Sequence, residues 1–123
     1  MSLSPAIPIL RIFDEARARD FYLDYLGFSV TFEHRFDPNT PIYMGLKSGD
    51  CELHLSEHNG DGTPGSRIRI EVDDIDAFHS ALNPTYRYAR PGIQDQSWGM
   101  REVSITDPFG NTLIFCQDTS IKS

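Results

Sequence analysis

The chain has 123 residues, 39% of them hydrophobic and 11% aromatic, enough apolar side-chain volume for one globular core and too much for a disordered segment. Its 11 Lys and Arg against 18 Asp and Glu give a formal net charge of −7, which argues against a phosphate-binding, nucleic-acid surface and favours a cationic small ligand. No apolar run approaches a membrane span and the N-terminus lacks the charged-then-apolar pattern of a secretory signal, so a cytoplasmic protein with no membrane partner is expected. In chain order, Ala6 to Phe13 reads as a strand and Asp14 to Leu26 as a helix, with Ala18, Phe21, Tyr22, Tyr25 and Leu26 at helical spacing, an Asp cap before it and Gly27 after it. Strands over Phe28 to Phe36, Ile42 to Lys47 and Cys51 to His58 follow, separated by Asp37-Pro38-Asn39-Thr40-Pro41 and Ser48-Gly49-Asp50.

The Gly/Pro-rich stretch His58 to Gly65 joins this set to a second one in the same order. A strand from Arg67 to Val72 leads through Asp73-Asp74 to a helix from Ile75 to Leu82, with Ile75, Phe78 and Leu82 on one face. Strands near Ala89 to Asp95, Arg101 to Thr106 and Thr112 to Gln117 complete it, so two βαβββ units, about residues 6–58 and 66–117, fill one domain spanning 1–123. Cys51 and Cys116 read as small buried residues on opposite faces of a sheet, where they cannot bond. His79 reads as solvent-facing, and Asn59-Gly60-Asp61-Gly62 as a plain connection, since it lacks both a following helix N-terminus and the closing Glu of a calcium loop.

The C-terminal segment is the most informative. Trp98-Gly99 precedes a strand in which Val103 and Ile105 alternate with Glu102, Ser104 and Thr106. Asp107-Pro108-Phe109-Gly110-Asn111 is then a tightly specified turn, with Pro setting φ, Gly accepting a positive φ, and Asp and Asn bonding their own backbone.

Ile9-Leu10-Arg11-Ile12, Phe21-Tyr22 before Leu26-Gly27-Phe28, Glu52-Leu53-His54-Leu55, Trp98-Gly99 with Arg101-Glu102, and the Asp107 to Asn111 turn occur in the order found in another group of proteins. Over Ala6 to Gln117 the chain resembles the bleomycin-resistance branch of the vicinal oxygen chelate superfamily, which also contains glyoxalase I and extradiol dioxygenases. The resemblance implies an α+β fold in which two βαβββ units form a curved mixed sheet around a cavity, and a homodimer with ligand crevices at the subunit interface. It also places the metal ligands of the superfamily's enzymes at about Ile7, Glu52, Arg67 and Ile114. Of these only Glu52 can bind a divalent cation, because aliphatic groups carry no lone pair and a guanidinium is a cation with none to give. His54 shares a strand face with Glu52, and His58 lies near, but no second pair of ligands stands opposite them; no metal and no cofactor are therefore expected.

No Ser or Cys lies in a recognisable nucleophile motif, so no catalytic residue is assigned. What remains is a polar face: Arg11, Glu52, His54, Ser56, Arg67, Arg69, Glu71, Glu102 and Ser104 all fall opposite the apolar side. Any sheet with one solvated side shows the same alternation, and the arginines could pair with Glu52, Glu71 and Glu102 or hold an anion. In the family the matching Trp-Gly lies near the ligand crevice, which makes Trp98 and Gly99 candidate contacts; a flat indole offers stacking to heteroaromatic ligands. Phe32, Phe36 and Tyr43 are further aromatic candidates. The expected ligand set is Trp98, Gly99, Arg101, Glu52, His54, Arg67, Phe32, Tyr43 and Ile114. The expected function is metal-free binding of a planar, cationic antibiotic such as bleomycin at a dimer crevice. The alternatives are a glyoxalase- or dioxygenase-like enzyme with a metal relocated to Glu52 and His54, or a small-molecule sensor.

Overall fold

Each half of the chain builds its own four-stranded mixed sheet in the computed structural model, which describes residues 2–82 and 91–119. In the first half, β1 (Ile9–Arg11) runs parallel to β4 (Cys51–Ser56), which pairs antiparallel with β3 (Ile42–Ser48) and through it with β2 (Ser29–Arg35). The second half repeats this order. There β5 (Arg67–Glu71) lies parallel to β8 (Thr112–Asp118), followed by β7 (Met100–Thr106) and β6 (Gln94–Asp95). The repeat read from pattern is thus a repeat of topology, in which the strand that opens each unit pairs with the strand that closes it. The expected sheet architecture holds as two separate sheets, with no closed barrel.

Alternation sets the faces. Leu10, Ile42, Met44, Leu46, Leu53 and Leu55 of the first sheet are buried beneath the first helix, and Val103, Ile105, Leu113 and Phe115 of the second beneath α2 (Ile75–Ala81), where Phe78 stacks on Phe115 at 4.2 Å. The two sets join in one continuous apolar core. Asp14 and Asp74 cap the helices by accepting the N–H groups of Arg17 and Ala77, each at 3.0 Å, as their sequence positions imply.

Several elements differ from expectation. β1 is shorter than Ala6 to Phe13 because Pro8 has no N–H for a ladder; its carbonyl takes the His54 N–H at 3.0 Å before regular pairing begins. The first helix starts as α1 (Glu15–Arg19) and continues as a π-helical segment, Asp20–Tyr25. Over six residues the two helix types place Phe21, Tyr22 and Tyr25 on much the same side, so the apolar pattern does not separate them. Of the strand near Ala89 to Asp95, only Gln94–Asp95 pairs, and Ala89 and Arg90 lie outside the described residues. Cys51 and Cys116 are free thiols on different sheets, not opposite faces of one. His79 does not simply face solvent: its Nε2 lies 2.6 Å from the carbonyl of Pro91. In the connection after β4, Gly62 has φ +67° and a Cβ there would stand 2.7 Å from the Ile9 carbonyl oxygen, which accounts for glycine.

The Asp107 to Asn111 turn does more than reverse the chain. The Tyr22 hydroxyl, from the first half, donates to Asp107 Oδ2 at 2.6 Å, and Asn111 Nδ2 donates to the Arg11 carbonyl at 2.9 Å. Asp107 Oδ1 also accepts the N–H groups of Phe109 and Asn111 at 2.8 Å, and Asn111 Oδ1 accepts that of Ser66 at 3.3 Å. Phe109 meets Phe13 with ring centroids 6.2 Å apart. The turn is therefore a polar clamp holding the second half to the first.

Burial, reinforced by the neighbouring Asp107 carboxylate, pushes the Tyr22 phenol well above its ordinary value of 10. A phenol whose value is raised by folding contributes stability that is fully present below pH 10 and is lost as pH rises beyond it toward the folded value. Chemical denaturation from pH 8 to 11 is expected to show stability falling above about pH 10. Tyr22→Phe is expected to flatten that decline; an unchanged slope would place its origin elsewhere.

Candidate functional site

The face of each sheet opposite its helix carries the polar residues expected there. On the first sheet this face is built by register: Phe32 of β2 lies opposite Gly45 of β3, Gly45 opposite His54 of β4, and Lys47 opposite Glu52. Ile9 and Arg11 of β1 flank His54 and Ser56. A bulge between Val30 and Phe32 shifts the β2 register and re-aims Phe32. Phe32 lies over the bare Cα of Gly45, where a Cβ would stand 2.6 Å from Phe32 Cδ1, so glycine is what leaves room for the ring there.

Phe32 remains 42% exposed, with its ring tilted only 17° from that of Tyr43 at a centroid distance of 6.1 Å. The His54 imidazole stands nearly perpendicular to both, at 5.2 Å from Phe32 and 5.3 Å from Tyr43. A hydrogen-bond chain links Tyr43 Oη to His54 Nδ1 at 2.7 Å and His54 Nε2 to Glu52 Oε2 at 3.2 Å. Burial, with the charge of Asp61 adding to it, raises the Tyr43 phenol, so its hydroxyl keeps its proton at neutral pH. Asp61 is held by the Ser56 hydroxyl at 2.9 Å. Phe32, Tyr43, His54 and Glu52 therefore come together as one aromatic and acidic surface.

The remaining candidates are spread over the second sheet. Ile114 is buried next to Arg69 in register, and Arg67 lies beside Thr112. Arg69 pairs with Glu102 at 2.5 Å, which answers one of the pairings left open by the sequence; Gln96 also donates to Glu102, at 3.4 Å. Trp98 and Gly99 form the turn between β6 and β7, where Gly99 has φ +89° and Trp98 is 63% exposed. Arg101 lies instead on the helix side, bound to Asp76 at 2.7 Å and Asp95 at 2.9 Å, and those carboxylates raise its already high pKa further. Its proximity to Trp98 in sequence does not bring it onto the open face. Phe36, 88% exposed, sits after β2 in the position corresponding to the Trp98 turn of the second unit.

A cleft of about 580 Å³ separates the N-terminal segment Ser4–Pro8 and the Glu52 end of β4 from Ile68 to Ile70 of β5. Ile7 and Glu52 line it with Arg69. The donor set does not fit a metal: of Ile7, Glu52, Arg67 and Ile114 only Glu52 is a ligand type, and its Oε2 is engaged by His54. Among the described residues, no three His, Cys, Asp or Glu side chains converge. No helix among the described residues is long and apolar enough to cross a membrane.

The Tyr43 to Glu52 chain was not legible in the sequence as a unit. Glu52 and His54 share a face by alternation, but Tyr43 joins them only through the β3 to β4 register.

The chain is similar to known proteins in sequence and in fold. The bleomycin resistance protein of Geobacillus stearothermophilus is 26% identical over 137 aligned positions, covering 96% of this chain and 98% of the relative, and that of Staphylococcus aureus matches equally well. Among solved structures, a bleomycin-binding protein complexed with bleomycin superposes with a TM-score of 0.67 at 25% identity, over 94% of this chain and 98% of that one. TioX from Micromonospora sp. ML1 shares the fold, with a TM-score of 0.71 at 19% identity over 94% and 99% of the two chains. A family model described as glyoxalase superfamily protein matches residues 1–121, and the chain belongs to that superfamily.

Proposed function

We propose that this protein binds a small molecule without a metal, holding a planar, cationic antibiotic such as bleomycin and leaving it chemically unchanged, so that sequestration alone protects the cell. The observation that carries this reading is the exposed Phe32 ring seated over Gly45, next to Tyr43 and His54, with the Glu52 carboxylate bonded to His54. Such a surface offers a ring face for stacking and a carboxylate for a cation. The bleomycin resistance proteins at 26% identity over nearly the whole chain, and the similar bleomycin-bound structure, support the same ligand class.

Phe32 and Trp98 belong to different sheets. A homodimer whose crevice lies at the subunit interface, with the first sheet of one copy facing the second sheet of the other, would set Phe32 opposite Trp98 of the second copy and sandwich a flat ligand. Gly99, Arg67 and Ile114 would line the other wall, while Arg101, held by Asp76 and Asp95, would serve the wall's structure.

Trp98 is the only Trp, so its fluorescence reports on the site. Titration with bleomycin is expected to give saturable quenching or a spectral shift at about one ligand per subunit. A flat titration at micromolar drug would remove the resistance reading, and a strict monomer in solution would remove the intersubunit crevice. A stoichiometric transition metal held through Glu52 in protein purified without chelator would overturn the metal-free reading.

A further inference from the structure

We infer that the Tyr43 to His54 to Glu52 chain makes the Tyr43 oxygen a fixed hydrogen-bond acceptor beside Phe32, and that the ligand is therefore a planar ring system carrying an N–H or O–H donor on its edge. The inference rests on the reading of the open face as a ring-binding surface and adds the polar chemistry that selects among flat ligands.

The direction of the chain follows from the chemistry of its last member. A carboxylate can only accept, so the 3.2 Å contact of Glu52 Oε2 with His54 Nε2 puts a proton on Nε2, and we infer that it is the ring's single N–H. Nδ1 is then the acceptor, and the Tyr43 hydroxyl at 2.7 Å must donate to it. The hydroxyl proton is thereby committed, and the oxygen has its lone pairs left to offer. No described residue donates to that oxygen. Asp61, whose charge acts on Tyr43, adds preference for a donor that is itself positively charged. The Tyr43 ring centroid lies 6.1 Å from that of Phe32, so a fused ring system stacked on Phe32 extends as far as Tyr43. A ligand that covers this oxygen without supplying a donor strips it of water uncompensated, and is penalised as well as unrewarded.

The test compares two planar tricyclic monocations, proflavine, which carries amino donors at its edges, and N-methylacridinium, which carries none. Wild-type protein is expected to bind proflavine about tenfold more tightly, the difference that one hydrogen bond of about 1.4 kcal/mol supplies. Tyr43→Phe is expected to bring the ratio of the two affinities from about ten down to about one. Nitrogen-15 NMR of the free protein is expected to show His54 protonated on Nε2 and bare on Nδ1. Equal affinities in wild type, a preference that survives Tyr43→Phe, or any proton on His54 Nδ1 would each overturn the inference while leaving the bleomycin reading intact. Failure of both tricycles and of bleomycin to bind would remove the ring-binding reading and the inference with it.

Discussion

Asp107→Ala is expected to lower the unfolding free energy by about 4 kcal/mol and the midpoint of thermal unfolding by 10 °C or more, on the order given by burying unpaired donors. Asp107 is buried and accepts from the Tyr22 hydroxyl, the backbone N–H groups of Phe109 and Asn111, and the Asn111 side-chain amide. Removing the carboxylate leaves those donors in a site closed to solvent, each costing roughly 1–3 kcal/mol less whatever water enters the space. Tyr22→Phe removes one donor and keeps the packed ring, so about 1–2 kcal/mol is expected from it. The two losses should be far from additive, because both act on the same bond, and a double-mutant cycle in urea measures that coupling. A loss under about 1 kcal/mol for Asp107→Ala would mean that the halves are held by their shared apolar core alone.

Phe32→Ala is expected to weaken bleomycin binding by tenfold or more, from lost stacking of about 0.5–1.5 kcal/mol together with the lost apolar contact area. Trp98→Ala should act similarly, with isothermal titration calorimetry as the readout for both, since it does not depend on the indole. Neither substitution should alter stability much, because Phe32 is 42% and Trp98 63% exposed. This separates them from core changes, which lower affinity through unfolding. Arg101→Ala provides the contrast: its guanidinium is engaged by Asp76 and Asp95 on the helix side, and bleomycin affinity should stay near wild type. Binding unaffected by Phe32→Ala would remove the first sheet from the site.

The sequence was most readable where local chemistry dictates local structure. The caps Asp14 and Asp74, the alternation along β4 and β7, and the Asp-Pro-x-Gly-Asn turn depend on neighbours a few residues away, and all form where the pattern places them. The shortening of β1 at Pro8 was present in the sequence too, as a missing N–H. The π-helical segment was not, because its apolar spacing is shared with an α-helix over so short a run.

By itself the sequence determined the doubled βαβββ order and the polar and apolar faces of strands such as β4 and β7, which follow from residue type and from periods of two and about four residues; the positions compared with metal ligands came from the family resemblance, and only Glu52 among them is a ligand type. Only the tertiary structure decided which residues on those faces meet. The β3 to β4 register joins Tyr43 to His54, the bulge before Phe32 and the bare Gly45 seat that ring over β3, and side-chain direction turns Arg101 toward α2. The same tertiary contacts turned the hairpin motif into a clamp, since Tyr22 and Asp107 lie 85 positions apart and meet only when the halves pack. Register and long-range contact come from the free energy of the whole core, which no local window of sequence contains.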